Sequence, residues 1–252
     1  MDYIVAAVDE AINLLMLVAQ HPGNGLTELS KRSGNTKART YRLLCTLEQR
    51  GLVGRRGDAA EYFLGFTAVT LGAAANEQVD LPRIVEPSLI ALEEQFRETV
   101  VLRVRDGFDS LCVARRDSSR SLRVNSSVGS RYPLHAGASG KLLLAHAPEA
   151  FQAEVLAREL ERATKATPVS AQKLQQMLDT IREQGYATSN GEWVEDVAAV
   201  ACPVRDANGQ VVASLSISTP SQRMTDANVV QFIKHLRIHA AQVSSLLGYR
   251  AG

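Results

Sequence analysis

The stretch from Leu26 to Arg50 leaves this chain few ways to fold. Leu26 to Ser33 and Thr36 to Arg50 both carry helical spacing, and the turn between them falls at Gly34, four residues after the small Ser30. A small residue lets two helices approach closely, and glycine supplies the backbone freedom that a tight turn requires. This is helix-turn-helix spacing, with Thr27 suited to an N-cap of the first helix. In the second, Leu43, Leu44 and Leu47 form the apolar stripe, while Lys37, Arg39, Thr40 and Arg42 fall on the other face. An earlier helix is expected from Val5, Val8, Ala11, Ile12, Leu15 and Val18, ended by His21-Pro22-Gly23-Asn24-Gly25. After Gly51, Leu52 to Gly54 and Glu61 to Leu64 flank the turn Arg55 to Ala60 and read as a short hairpin, a wing.

Charge sharpens this reading. The 252-residue chain has a net charge of only +1, yet Lys31, Arg32, Lys37, Arg39, Arg42, Arg50, Arg55 and Arg56 stand against one acid, Glu48. That segment carries +7 and the remainder −6, an asymmetry that points to nucleic acid. A cationic, hydroxyl-bearing helix can enter the major groove of double-stranded DNA while a basic wing touches phosphate beside it. The candidate DNA contacts are Thr27, Thr36, Lys37, Arg39, Thr40, Arg42, Arg55 and Arg56. A small helical domain with a merely solvated basic face is the alternative.

Several classes are disfavoured. Cys45, Cys112 and Cys202 lie far apart, without the paired spacing of a zinc site, and their odd count argues against a disulfide framework; no metal or cofactor is expected. No apolar run approaches the ~18 residues of a membrane helix, and no basic leader precedes an apolar run at Met1 to Leu17. A cytoplasmic protein without a membrane partner is the expectation.

Downstream, Phe66 to Val79 is Ala-rich and reads as a linker helix, and Leu81 to Phe96 as an amphipathic helix entered at Asp80-Leu81-Pro82. Strands are expected at Thr99 to Arg105, Ser110 to Arg115, Leu122 to Asn125, Val197 to Arg205 and Val211 to Ser218. Asp206 to Gly209 is a hairpin loop in which Asn208-Gly209 can take positive φ. Helices are expected at Ser139 to His146, Pro148 to Arg162, Ser170 to Gln184 and Asp226 to Leu247, the last capped by Thr225. The fold class is α+β: a winged helix-turn-helix domain over 1–65, a linker helix over 66–79, and a domain over 80–252 with a mixed, mainly antiparallel sheet.

The run from Gly129 to Ala145, GSRYPLHAGASGKLLLA, resembles the central signature of IclR-type (isocitrate lyase regulator) bacterial transcription factors. Gly185-Tyr186-Ala187, Glu192, Val197, Ala201 to Val204, Gly209 and Ala213 to Ser218 follow the same family's order, as do Gly34, Arg42-Leu43-Leu44 and Leu47. The resemblance implies a GAF-like second domain whose sheet and covering loops enclose an effector pocket lined by Gly137, Ala138, Ser139, Ser189, Ala199, Ser216 and Ser218. It also implies assembly as a homodimer or homotetramer, and because one short recognition helix reads too few bases for genomic specificity, paired winged helices on a roughly palindromic operator are expected. Departures are Thr36, Ala38 and Arg39 at the recognition helix, and Asp196 where the family usually has glycine.

Ser216 and Ser218, two apart on a strand, share a face and can converge on one ligand; the alternative is that they bond nearby backbone. Hydroxyls with free amides at the helix start near Ser139 to Lys141 would suit a carboxylate, and so a small organic or aromatic acid. Arg103 and Arg105 alternate with Val100, Leu102 and Val104, so either can face the ligand or water, the solvated face being the preferred reading, and His135 reads as a structural hydrogen-bonding residue rather than a base. Gly137 to Lys141 is no Walker loop, since His135 and Leu142 stand where glycine and a hydroxyl are needed. Nor is Ser139 a nucleophile elbow, because Lys141 follows two residues later. No catalytic residue is assigned and the chain is not expected to be an enzyme; a small-molecule sensor or interaction module without sequence-specific DNA binding is the competing reading.

Overall fold

A computed structural model describes residues 3–57, 60–77, 80–124 and 127–250. The chain forms two compact units, Met1–Val79 and Asp80–Gly252. The wing-turn residues Asp58 and Ala59, Val79 at the end of the expected linker helix, and Asn125 lie outside the described residues.

In the first unit, α1 (Ala6–Gln20), α2 (Leu26–Ser33) and α3 (Lys37–Gln49) pack around Leu14, Val18, Leu29, Leu44 and Leu47. The antiparallel hairpin of β1 (Val53–Arg56) and β2 (Glu61–Leu64) adds Val53 and Tyr62 to that core. Helical spacing alone did not identify which stripe of α1 is buried. Leu14 and Val18 face the core, whereas Val8 and Ile12 are exposed at 55% and 56%. The turn is built as its residues require: Gly34 takes φ +70°, and Ser30 Oγ donates to the Asn35 carbonyl at 2.7 Å. Thr27 is not the cap of α2; Gly25 holds that position and Thr27 is an exposed residue of the first turn. α4 (Phe66–Glu77) follows the hairpin.

In the second unit, α5 (Leu81–Phe96) is capped by Asp80, whose side chain accepts from the Arg83 amide at 3.2 Å. Six strands follow among the described residues: β3 (Thr99–Asp106), β4 (Asp109–Arg116), β5 (Arg131–Pro133), β6 (Ala187–Asn190), β7 (Val197–Arg205) and β8 (Val211–Pro220). They form one sheet in the order β5-β4-β3-β8-β7-β6, with every neighbouring pair antiparallel rather than mixed. Residues 122–124 are not a strand; the edge position is taken by β5. Of Asn208-Gly209 only Gly209 takes positive φ, at +78°.

Helices cover both faces of this sheet. α5 and α9 (Asp226–Leu246, capped by Thr225) bury Val85, Leu89, Phe232 and Leu236 against Val100, Leu102, Leu215 and Ile217. On the other face, α6 (Ala138–Ala145) and α8 (Ala171–Gln184, capped by Ser170) cluster Leu142, Leu174 and Leu178 with Ala187 and Ala201. α7 (Glu149–Leu156) is half the expected length, ending before Arg162. Gly140 lets α6 start against the sheet's edge, since a Cβ there would lie 2.9 Å from the Pro133 carbonyl oxygen.

Candidate DNA-binding face and effector pocket

The eight candidate DNA contacts separate into free, engaged and buried side chains. Thr36 caps α3, its Oγ1 accepting from the Arg39 amide at 3.3 Å. Lys37 and Arg42 are exposed on α3 and have no side-chain partner among the described residues. Tyr41, absent from the sequence assignment, is 46% exposed one turn after Lys37, a spacing that places both on one face. Thr40 corrects the expectation: it is fully buried, and its Oγ1 donates to the Thr36 carbonyl at 3.0 Å. Arg39 gives its Nε and Nη2 edge to Glu10 of α1, a bidentate pair. In the wing, Arg55 Nε bonds Glu48 at 2.9 Å, and Arg56 lies over the Phe63 ring at 4.7 Å.

Expected pocket residues come together differently. Strand pairing sets Ser189, Ala199, Ser218 and Thr99 opposite one another in a single row across β6, β7, β8 and β3. The next row on the same face holds Ala187, Ala201, Ser216, Val101 and Arg115. These small side chains leave space between sheet and helix. A cavity of about 80 Å³ lies there, lined by Gly137, Ala138, Ser139, Ser189, Ala199, Ser216 and Ser218, all seven of the expected residues. One water needs roughly 10–15 Å³ of such volume, so an organic molecule of several heavy atoms fits. A wider cleft of about 810 Å³, lined by Lys141, Arg162, Lys165 and Lys173, shares Ser189, Glu192 and Ala199 with it but lacks Ser216, Ser218 and the start of α6.

Polar groups in the cavity are of two kinds. Ser216 Oγ donates to the Val101 carbonyl at 3.2 Å, so it bonds backbone and lines the cavity at once. Ser139, Ser189 and Ser218 have no side-chain partner among the described residues. The amide of Gly137 is not free, as it donates to Glu192 Oε2 at 2.9 Å. Glu192 in turn pairs with Lys141, whose Nζ also donates to the Thr188 carbonyl at 3.0 Å. Burial holds the Lys141 ammonium below its ordinary value, with Glu192 opposing the shift.

Arg103 overturns the solvated-face reading. It is 95% buried, at 5% relative exposure, and lines the cavity with Tyr132, whose ring lies 4.2 Å from its guanidinium carbon. Burial lowers its pKa. Arg105 is exposed, over the Phe151 ring at 4.7 Å. Alternation placed both arginines on one face, but helices cover that face as far as Arg103, so parity alone did not mean solvent. Trp193, Tyr132 and Glu192 also line the cavity without having been assigned to it. His135 is buried, with Nε2 2.8 Å from the Glu161 carbonyl oxygen, in keeping with a structural role.

Residues 73–245 match the family model for the bacterial transcriptional regulator IclR C-terminal domain, and residues 7–57 that for the IclR helix-turn-helix domain. The chain belongs to the IclR family of transcriptional regulators. It is 35% identical over 246 residues to the HTH-type transcriptional regulator KdgR of Dickeya chrysanthemi, covering 97% of this chain and 81% of the relative. It is 33% identical to KdgR of Escherichia coli, covering 97% and 94%. The crystal structure of Pseudomonas aeruginosa HmgR superposes with a TM-score of 0.83 at 25% identity over 98% of this chain and 100% of that one. IclR-family membership makes this a DNA-binding regulator rather than an enzyme. Among the described residues no helix is long and apolar enough to cross a membrane, and no three His, Cys, Asp or Glu side chains are grouped to hold a metal.

Proposed function

We propose that paired copies of the chain bind a roughly palindromic operator through α3 and the wing, and that a small organic or aromatic acid in the cavity of the second unit changes that binding. One observation carries the reading: seven residues scattered over 82 positions of sequence, Gly137 to Ser218, line one cavity, in a unit that follows an exposed basic recognition helix. Lys37, Arg42 and Arg56 are the cations available to phosphate or base edges, with Thr36 and Thr27 beside the groove. Arg39 and Arg55 reach DNA only by leaving Glu10 and Glu48. Pairing is supported by specificity, since one recognition helix reads too few bases. It is also supported by Val8, Ile12 and Met16, exposed apolar residues one turn apart along α1.

The test is fluorescence anisotropy on duplex DNA from beside the protein's own gene, titrated with salt against a scrambled duplex. Selective binding that weakens steeply with salt, and that shifts when small acids are added, supports the proposal. Equal binding to both duplexes, unmoved by every acid tested, overturns this operator and this effector class.

A further inference from the structure

We propose that Arg103 holds the acid group of the effector, so that the pocket selects a small carboxylate seated on this guanidinium, with its neutral oxygens toward Ser216, Ser218 and the start of α6. The proposal rests on reading the cavity as the effector pocket.

A guanidinium cannot give up its charge inside a protein, and burying an ion without a counter-ion costs several kcal/mol. Arg103 is in that position. Among the described residues no carboxylate oxygen lies within 4 Å of it, and its hydrogen bonds all go to neutral oxygens. Nη1 donates to the carbonyls of Ser110 at 2.8 Å and Ser130 at 3.2 Å, with Ser110 Oγ at 3.4 Å, and Nη2 donates to Ser130 Oγ at 3.0 Å. The two Nη1 hydrogens are thereby used. What is left is the Nε hydrogen and one on Nη2, the edge across which a carboxylate binds bidentately. Two other arginines of this chain show what that edge ordinarily meets: Arg39 gives it to Glu10, and Arg223 gives it to Glu98 at 2.7 Å for both bonds.

A second guanidinium at this end takes up the nearby acid. Arg115 lies opposite Val101 on the same sheet face, its side chain 8% exposed, with Nε and Nη1 buried and without a partner among the described residues. Asp117 answers Arg115 alone. The opposite pole already has its anion. Glu192 lines the cavity, takes the Gly137 amide and pairs with Lys141, so the cation at that end is already neutralised and leaves no charge for a ligand carboxylate. The free amides there suit a hydroxyl or oxo oxygen; the charge belongs at Arg103.

The experiment uses Trp193, the chain's one tryptophan, which lines the cavity. The full chain is titrated with a series of C3–C7 hydroxy, oxo and aromatic carboxylates, each beside its own carboxamide, and the tryptophan emission is followed. A charged hydrogen-bonding pair should favour the acid by roughly ten- to a hundredfold over the isosteric amide. Arg103→Met should bring that ratio close to one, and Arg103→Lys should leave it between the two. A merely structural arginine would instead weaken acid and amide alike, with the ratio intact. Should Arg103→Met fail to fold, the ratio in the native chain and in Arg103→Lys decides. Acids and amides binding equally to the native chain would overturn the Arg103 assignment and leave the pocket standing. No response of Trp193 to any compound in the series would overturn the pocket itself.

Discussion

The recognition helix and the effector pocket were both assigned residue by residue, and the molecule treats the two assignments differently. All seven pocket residues line one cavity, whereas the DNA candidates include a buried threonine, two arginines held by acids and a small exposed set. Geometry explains the difference. On a strand, parity fixes the face, so Ser216 and Ser218 must point together, and register brings Ala199 and Ser189 alongside. On a helix, faces grade into one another over 100° steps, and a side chain at the border goes wherever a neighbour accepts it. Thr40 shows this: turned inward, it satisfies its hydroxyl on the carbonyl one turn back and costs no unpaired polar group.

The largest contrast should appear in the ion pairs. Lys141 and Glu192 are at 1% and 9% exposure, while Arg39 and Glu10 are at 42% and 28%. Removing one partner of a buried pair leaves a stranded charge and typically costs about 3–5 kcal/mol, whereas a surface pair is worth about 0–1. Lys141→Met should therefore lower the melting transition of the second unit sharply, and Glu10→Gln should barely move the first. Equal shifts in calorimetry would mean that burial does not separate the two sites.

On DNA the order reverses. Arg42→Ala should weaken operator binding about tenfold, a loss of about 1–3 kcal/mol expected of a base or phosphate contact, while Thr40→Val leaves anisotropy titrations unchanged. Arg39→Ala should cost less than Arg42→Ala because its guanidinium is already engaged, and Glu10→Gln should strengthen binding by releasing it. If Arg39 and Arg42 prove equivalent, the pair with Glu10 opens on DNA and the face is larger than it is without DNA.

Acid separates the units again. His146, at the end of α6, is pushed down from 6.5 to about 4 by burial, helped by Arg205 and Arg182. Its Nε2 is buried and has no partner among the described residues. The unfolded chain takes up this proton as pH falls below 6.5 while the folded chain refuses it until about 4. Stability tied to the neutral ring is thus whole above pH 6.5 and is lost over that window. Discounted for solvent at a partly exposed ring, the loss is about 1–2 kcal/mol. Denaturant melts of the native chain and of His146→Gln at pH 7 and pH 4.5 check it: the native chain should lose more, and equal losses would assign the acid sensitivity elsewhere.

How far the sequence could be read follows from the same geometry. Helices with side-chain caps announced their starts, as Thr36, Ser170 and Thr225 do. β7 and β8 are long enough for their apolar runs to stand out, while the three residues of β5 and the four of β6 carry too little pattern. Arg103 was legible as facing either ligand or water, and the preference for water failed because alternation identifies a face but not what covers it. Glu192 was visible only as a residue in a family pattern; its bond to the Gly137 amide joins positions 55 apart, and no local spacing encodes that.

The smallest effect concerns two left-handed turns, one in each unit. Gly34 occupies φ +70° at the turn before α3, and Asp196 occupies φ +59° at the rim of the pocket, just before the lining residue Val197. Glycine adopts this region without strain; aspartate does so at a cost, though a smaller one than most residues. The rim turn is held by the Asp196 carbonyl, which accepts from the Ser221 amide at 2.8 Å and asks nothing of the side chain. Asp196→Gly should therefore hold or slightly raise stability, by less than about 1 kcal/mol, since relief of strain is offset by the greater freedom of an unfolded glycine. Asp196→Val should lose about 1–2 kcal/mol, because a β-branched residue is poorly accommodated there. Gly34→Ala should behave like the valine variant. Melts of the three proteins order them. If the glycine at 196 destabilised the chain by more than the valine, the aspartate side chain would be holding the rim, and the titration of Trp193 would shift with it.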